Sequence, residues 1–279
     1  MLLTPRYGDR PAVAVGLRDA GPHPVTAQRE RLAGVLATLT EAQWQHPSRC
    51  AGWSVQDVVS HLVSTNGFWA LSVQAGLGGE PTRFLASFDP VATPAQLAAL
   101  EAGTPPATTL EQLVASNQAL AEALAAVPDD DAWESLAEAP PGHVPIRLLA
   151  DHALWDAWVH ERDILLPLGL EPTVDADEVR TSLRYGACLG QAFTRCAGAT
   201  DAGAVRIVVD DPADAFVVRA EGAQVLAEPD DPGVAAVVTA PAVPLLETLS
   251  TRDVGLAMTP EIGWLMAGLA EVFDQPSPV

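Results

Sequence analysis

Basic residues are scarce in this sequence of 279 residues. Lysine is absent, so 15 arginines face 36 acidic residues and the formal net charge at pH 7 is −21. A field of this sign repels phosphate backbones and anionic membrane surfaces. We therefore expect neither nucleic acid nor a membrane among the partners of the protein.

Cysteine is rare as well. Cys50, Cys188 and Cys196 form an odd number without a CxxC pair, which argues against both a disulfide framework and a structural zinc knot. Runs of about 20 apolar residues are missing, and the first residues lack the charged start and apolar centre of a signal peptide. The expected location is the cytoplasm.

Apolar residues recur at helical spacing through most of the first 200 residues. The pattern predicts helices from Thr26, from Ser54, over 109–126, over 145–166 and over 177–196. Beyond residue 203, short β-branched runs between turn residues predict strands, and helical segments return near the end. We expect an α+β fold in two domains, a helical domain over residues 1–202 and a small α+β domain over 203–279.

Two stretches lack a clear period. The first two dozen residues carry prolines and glycines and are interpreted as an irregular arm. The segment 76–108 is longer than ordinary loops in compact domains. Apart from a short helix at "ATPAQLAALEAG", its structure stays undefined, and we expect it to shape a pocket.

Residues 151–164, "DHALWDAWVHERDI", place histidines and acids inside an apolar helix. His152, Asp156 and His160 are four residues apart and share one helix face. The outer two cannot bind one ion, because eight residues rise about 12 Å along the axis. The helix can offer either His152 with Asp156 or Asp156 with His160, and the spacing alone leaves both pairs open.

A third ligand would have to come from another helix. His61, on the helix that Ser54 and Asp57 begin with the pattern of a capping box, is the best-placed imidazole. The alternative for any one of these histidines is a hydrogen-bonded or half-exposed side chain without a ligand.

Two signatures carry a family resemblance. "CAGWSVQDVVSHL" at 50–62 and "DAWVHERDIL" at 156–165 resemble actinobacterial proteins of the mycothiol-dependent maleylpyruvate isomerase family, a branch of the DinB-like four-helix bundles. "AVVTAPAVPLLETLSTRD" at 236–253 is similar to the family's second, small α+β domain of sterol-carrier-like type. The resemblance implies a DinB-like bundle followed by an α+β domain that covers the active site.

The resemblance also implies a ligand set and a reaction class. Carried onto this sequence, the metal ligands are His61, Asp156 and His160, with Zn²⁺ as the expected divalent metal and Asp156 where the best-known isomerases have glutamate. The open position on the metal would activate mycothiol for transfer to a small electrophilic substrate, in an S-transferase or an isomerase.

Three further residues are candidates for the chemistry. His152 is a candidate general base, with a packed imidazole as the alternative. Arg83 and Arg252 are candidates for binding an anionic substrate or the thiol cosubstrate, because a guanidinium fork suits carboxylates; surface arginines paired with Asp89 and Asp253 are the alternative.

Other functions are compatible with the same residues. The metal could activate water or the substrate without a thiol, or the bundle could be a non-catalytic binding or regulatory module. A monomer or a small homo-oligomer is expected in each case.

Overall fold

The computed structural model describes residues 4–19, 21–89 and 92–272. Its helices are α1 (Val25–Leu36), α2 (Glu41–Trp44), α3 (Val55–Leu77), α4 (Ala92–Leu100), α5 (Pro106–Ala125), α6 (Ile146–Leu165), α7 (Ala176–Cys196), α8 (Ala242–Leu249) and α9 (Pro260–Val272). Its strands are β1 (Val13–Val15), β2 (Leu136–Ala139), β3 (Gly142–Pro145), β4 (Gly203–Asp210), β5 (Asp214–Glu221), β6 (Gln224–Pro229) and β7 (Val237–Pro241).

Helices α1, α3, α5 and α6 pack together as a four-helix bundle. The capping box predicted at the start of α3 is present, since Ser54 accepts from the Asp57 amide and the Asp57 carboxylate accepts from the Ser54 amide. Pro145 directly precedes α6, where its fixed φ and missing amide proton cost the helix little. The helices predicted from these signals are therefore confirmed, with ends shifted by a few residues.

The segment 76–108 carries more structure than its sequence indicates. It includes the end of α3, a 3₁₀ turn over Phe84–Ser87, helix α4 and the start of α5. The predicted short helix is α4. Its faces differ little in polarity, and Leu97 and Leu100 remain exposed, which explains why periodicity describes this segment poorly.

A five-stranded sheet takes four of its strands from the C-terminal part of the chain. Its order is β1-β6-β5-β4-β7, with β5 antiparallel to both β4 and β6 and both outer strands parallel to their neighbours. Alternate residues of β4 (Val205, Ile207 and Val209) are buried, so one face of the strand contributes to the core. The α+β fold, with a helical N-terminal part and a C-terminal sheet, is confirmed.

Two elements link the predicted domains across residue 202. Strand β1 comes from the N-terminal arm, where we expected no regular structure, and pairs with β6 in the C-terminal sheet. Helix α7 packs against α6 and also against α8, α9 and β6. The boundary itself stays a prediction. Among the described residues, no helix is long and apolar enough to cross a membrane.

Candidate metal centre

A cavity of about 690 Å³ lies between the bundle and the C-terminal part of the chain. Helices α3 and α6 form one side of it, and the segment over residues 84–97 forms another. Ser250, Thr251, Arg252 and Leu269 contribute from the C-terminal part. Residues that follow the sheet therefore line the same cavity as two helices of the bundle.

His61, Asp156 and His160 meet at the wall of this cavity. The His61 Nε2 atom lies 3.9 Å from Asp156 Oδ1, and the His160 Nε2 atom lies 3.6 Å from the same oxygen. All three ligand atoms lie within 4.8 Å of one another. Of the two pairs that helical spacing left open, Asp156 with His160 is the one that His61 joins.

The separations within this triad fit a shared cation. Distances of 3.6 and 3.9 Å are too long for hydrogen bonds. Two ligands of one tetrahedral zinc ion lie about 3.4 Å apart, because metal–ligand distances are roughly 2.0 to 2.2 Å. Two imidazole nitrogens and one carboxylate oxygen form a donor set that zinc accepts, with one position left for a further ligand.

The second nitrogen of His160 is already engaged. Its Nδ1 atom lies 3.0 Å from Asp163 Oδ2, which fixes the ring so that Nε2 faces Asp156 and His61. Thr65 Oγ1 donates to the other oxygen of Asp156 at 3.5 Å. Ligands of bound metals are commonly oriented by such partners, so both groups support a metal site.

Without a metal, the charges of the triad compensate one another. Burial disfavours the charged form of Asp156, but the nearby His61 and His160 rings outweigh it and hold its pKa well below the usual range. Burial likewise opposes protonation of His160, but its hydrogen bond with Asp163 outweighs that effect and raises its pKa well above 6.5. A cation bound at the triad would replace this proton.

Asp163, which is fully buried, is the centre of an ion cluster beside the triad. Arg252 donates to both of its carboxylate oxygens, at 2.9 and 2.6 Å. Arg49 lies 3.6 Å from Asp163 and donates to Glu247 at 2.5 Å. Burial opposes ionisation of Asp163, yet these hydrogen bonds hold its pKa well below the usual range. The cluster joins the bundle to the segment that follows α8.

Cys50 was not predicted to lie at this site. Its thiol lies 3.2 Å from Asp163 Oδ2 and 3.7 Å from His160 Nδ1, so Cys50, His160 and Asp163 form a second group with the spacing of metal ligands. That group fits a cation less well, because Arg252 occupies both oxygens of Asp163. Cys50 precedes α3 and meets α6 only in the folded chain, so no local motif reveals it.

His152 lines the cavity one turn before Asp156 but is not part of the triad. It is 4% exposed, and its Nδ1 lies 2.7 Å from the Tyr185 hydroxyl. The rings of Trp69 and Trp155 pack against it. Burial lowers its pKa to about 4, against the opposing charge of Asp156. The imidazole is therefore neutral near pH 7.

The two candidate arginines occupy different places. Arg252 lines the cavity and pairs with Asp163 instead of Asp253. Arg83 is exposed, its guanidinium carbon lies 5.3 Å from the centre of the Tyr7 ring, and it does not line the cavity. The structure does not bring Arg83 to the triad, because its guanidinium lies over the ring of Tyr7 instead.

Comparisons with known proteins agree with this architecture. The family model described as mycothiol maleylpyruvate isomerase N-terminal domain matches residues 25–165, about half of the chain. A search of curated proteins found no match. Two solved structures, the mycothiol-dependent maleylpyruvate isomerase and its histidine-to-alanine mutant, are 16% and 15% identical in sequence. Both have a TM-score of 0.58 over 85% of this chain and 92% of theirs. The chain therefore belongs to the mycothiol-dependent maleylpyruvate isomerase family of enzymes.

Proposed function

We propose that the protein is a zinc-dependent enzyme that uses mycothiol as a thiol cosubstrate and transfers it to a small electrophile, as an S-transferase or an isomerase. The observation that carries this proposal is the convergence of His61, Asp156 and His160 at the wall of a cavity large enough for a substrate. Family membership supports the thiol, and the donor set supports the metal.

The triad residues would hold the ion, and the neighbouring residues would position the reactants. A divalent ion at this place supplies a Lewis acid that lowers the pKa of a thiol at its open position. Asp163 keeps the His160 ring turned toward the site. Arg252 lines the cavity, but its guanidinium nitrogens already donate to Asp163, the Ser250 carbonyl and the Thr251 hydroxyl, so its role would be to hold Asp163 in place.

His152 is suited to a proton-transfer role in this scheme. Its Nδ1 is hydrogen-bonded to Tyr185, and Nε2 has no hydrogen bond to any described residue. Burial lowers its pKa to about 4, so the ring is in its neutral, proton-accepting form at neutral pH, although it is a weaker base than an exposed histidine. We assign it as the candidate base that takes up the thiol proton.

Metal analysis combined with a thiol assay tests the proposal. The full chain, purified without chelator, should hold one zinc per molecule and consume mycothiol together with an electrophile. His61→Ala should lose both properties, whereas His46→Ala, at an exposed histidine outside the cavity, should keep both. Turnover of the electrophile in thiol-free buffer, or unchanged metal content in His61→Ala, would contradict the proposal.

A further inference from the structure

The cavity has an apolar end that the proposed metal chemistry does not use. We call it the apolar wall; it is formed by Phe68, Trp69, Phe84, Phe88, Pro94 and Leu97. The Phe68 ring lies 4.8 Å from the Trp69 ring and 6.4 Å from the Phe84 ring. A volume of about 690 Å³ lies within the range of sites that hold drug-sized molecules, roughly 300 to 1,000 Å³.

Part of the apolar wall is not used to stabilise the fold. The side chains of Phe84 and Leu97 are 59% and 40% exposed although both line the cavity. Apolar side chains grouped at the mouth of a cavity commonly mark a binding surface. Their exposed area is available to a ligand of the same character.

A buried carboxylate fixes the position of this wall. Glu138 is fully buried, and its Oε2 atom accepts from the Phe84 amide at 2.8 Å and from Thr82 Oγ1 at 2.7 Å. Its Oε1 atom accepts from the Leu85 amide at 2.8 Å and from the Tyr7 hydroxyl at 2.6 Å. The turn that carries Phe84 is therefore ordered before a ligand binds, which lowers the entropic cost of binding.

The charges of the cavity do not favour a dianion. The two arginines among the described lining residues, Arg49 and Arg252, are paired with Glu247 and Asp163. Asp156 offsets one charge of a divalent ion at the triad, and a thiolate cosubstrate offsets the second. A small dicarboxylate would lose its hydration on entry and meet no unbalanced positive charge in return.

We infer that the electrophile of this enzyme is a neutral molecule with an aromatic body, such as an aryl-substituted enone, and not a small dicarboxylate. The inference rests on the proposed function for its chemistry. The thiolate sulfur forms a bond to the β-carbon of the enone, and the π electrons of the double bond move to the enolate. The α-carbon then takes up one proton, which balances the proton lost by the thiol. The aryl group lies against the apolar wall.

Binding of unreactive analogues tests the inference without turnover. The probes are 4-phenylbutan-2-one and succinate, and the signal is quenching of the tryptophans that line the cavity (Trp53, Trp69 and Trp155). We expect the aryl ketone to bind the full, zinc-loaded chain at least tenfold more tightly than succinate. Equal or tighter binding of succinate would overturn the inference.

Variants locate the bound probe. Phe84→Ala and Leu97→Ala should each weaken binding of the aryl ketone about threefold to tenfold, since tenfold corresponds to about 1.4 kcal/mol. Leu100→Ala is the matched control, because Leu100 lies on α4 with Leu97 but is 79% exposed and does not line the cavity. Unchanged affinity in both wall variants would also overturn the inference.

Turnover separates this inference from the proposed function. Mycothiol addition to 4-phenylbut-3-en-2-one, but-3-en-2-one and maleylpyruvate is measured, and each rate is divided by the rate without enzyme. The largest acceleration is expected for the phenyl compound. A larger acceleration for maleylpyruvate would overturn the inference and leave the proposed function standing. If no electrophile is accelerated, the proposed function fails, and the binding preference alone decides the inference.

Discussion

The metal end and the apolar wall of the cavity share helix α3 but differ in the other elements that build them. At the metal end, His61 comes from α3, and Asp156 and His160 come from α6, two long helices of the bundle. The wall takes Phe68 and Trp69 from α3, Phe84 from a 3₁₀ turn, Phe88 from the chain after it, and Pro94 and Leu97 from the short helix α4. Regular elements hold groups whose relative positions must be fixed, and irregular segments vary more easily. The difference suggests that the reaction class resides in the bundle and substrate choice in the segment 84–97.

The largest effect should come from the buried cluster behind the metal end. Asp163→Asn leaves Arg252 without its carboxylate, and breaking a buried ion pair in this way costs about 3 to 5 kcal/mol. The free energy of unfolding of the metal-free chain, measured in urea, should fall by that amount. Asp253→Asn, at the exposed neighbour of Arg252, is the control. A loss no larger than that of the control would show that the metal end needs no such support.

Lowering the pH should reduce the stability of the folded chain through the buried imidazole of His152. His152 has a pKa of about 4 in the folded chain, because burial disfavours its charged form, and about 6.5 in the unfolded chain. The unfolded state therefore binds more protons between these values, and stability falls as the pH falls from 6.5 toward 4. The contribution is about 3 kcal/mol at pH 4. His152→Gln should lack it, so wild-type and variant curves that stay parallel over this range would contradict the assignment.

Substitution of Glu138 tests whether the apolar wall needs this buried carboxylate to keep its position. Glu138→Gln replaces one accepting oxygen by an NH₂ group that faces former donors, so at least one buried hydrogen bond is lost. The cost should be about 2 kcal/mol of unfolding free energy, with weaker binding of 4-phenylbutan-2-one and unchanged zinc content. Glu80→Gln, at an exposed position of the same segment, is the control. Loss of zinc in Glu138→Gln would show that the two ends are not independent.

Cys50 should have the smallest effect. If the ion binds at His61, Asp156 and His160, then Cys50→Ser keeps the zinc content and changes the rate of thiol transfer less than twofold. Loss of zinc in this variant, measured by elemental analysis, would move the metal centre to Cys50, His160 and Asp163, the second group with suitable spacing. The metal end of the cavity would then consist of those three residues, and its comparison with the apolar wall would have to be made again.

Local signals in the sequence predicted the helices of the bundle and the two pairs on α6 that could bind a metal. The capping box of α3, Pro145 before α6 and the four-residue spacing of Asp156 and His160 depend on neighbours within one or two turns. Spacing alone left both His152 with Asp156 and Asp156 with His160 as possible ligand pairs. The family resemblance implied the second pair. Helix period and rise thus limit which side chains can meet, while the partner helix decides which of them do.

The parts that the sequence did not predict depend on contacts between distant residues. Cys50 joins Asp163 across 113 positions, and Arg252 joins the same carboxylate across 89. Strand β6 was not predicted, because "QVLAEP" is short and ends in proline. Arg83 was predicted as a candidate for binding an anionic substrate or the thiol, whereas its side chain packs on Tyr7. No periodic pattern carries information about such pairs.

Strand β1 cannot join the sheet as soon as it is synthesised, because its partner strand β6 comes much later in the chain. Val13 pairs with Val225, so a strand that is synthesised among the first residues must wait for one about 210 residues later. At typical synthesis rates of 5 to 20 residues per second, that delay is roughly 10 to 40 seconds. The bundle can form during this time, but β1 can pair in the sheet only after β6 has been synthesised. The N-terminal arm is thus made before the strand that holds it.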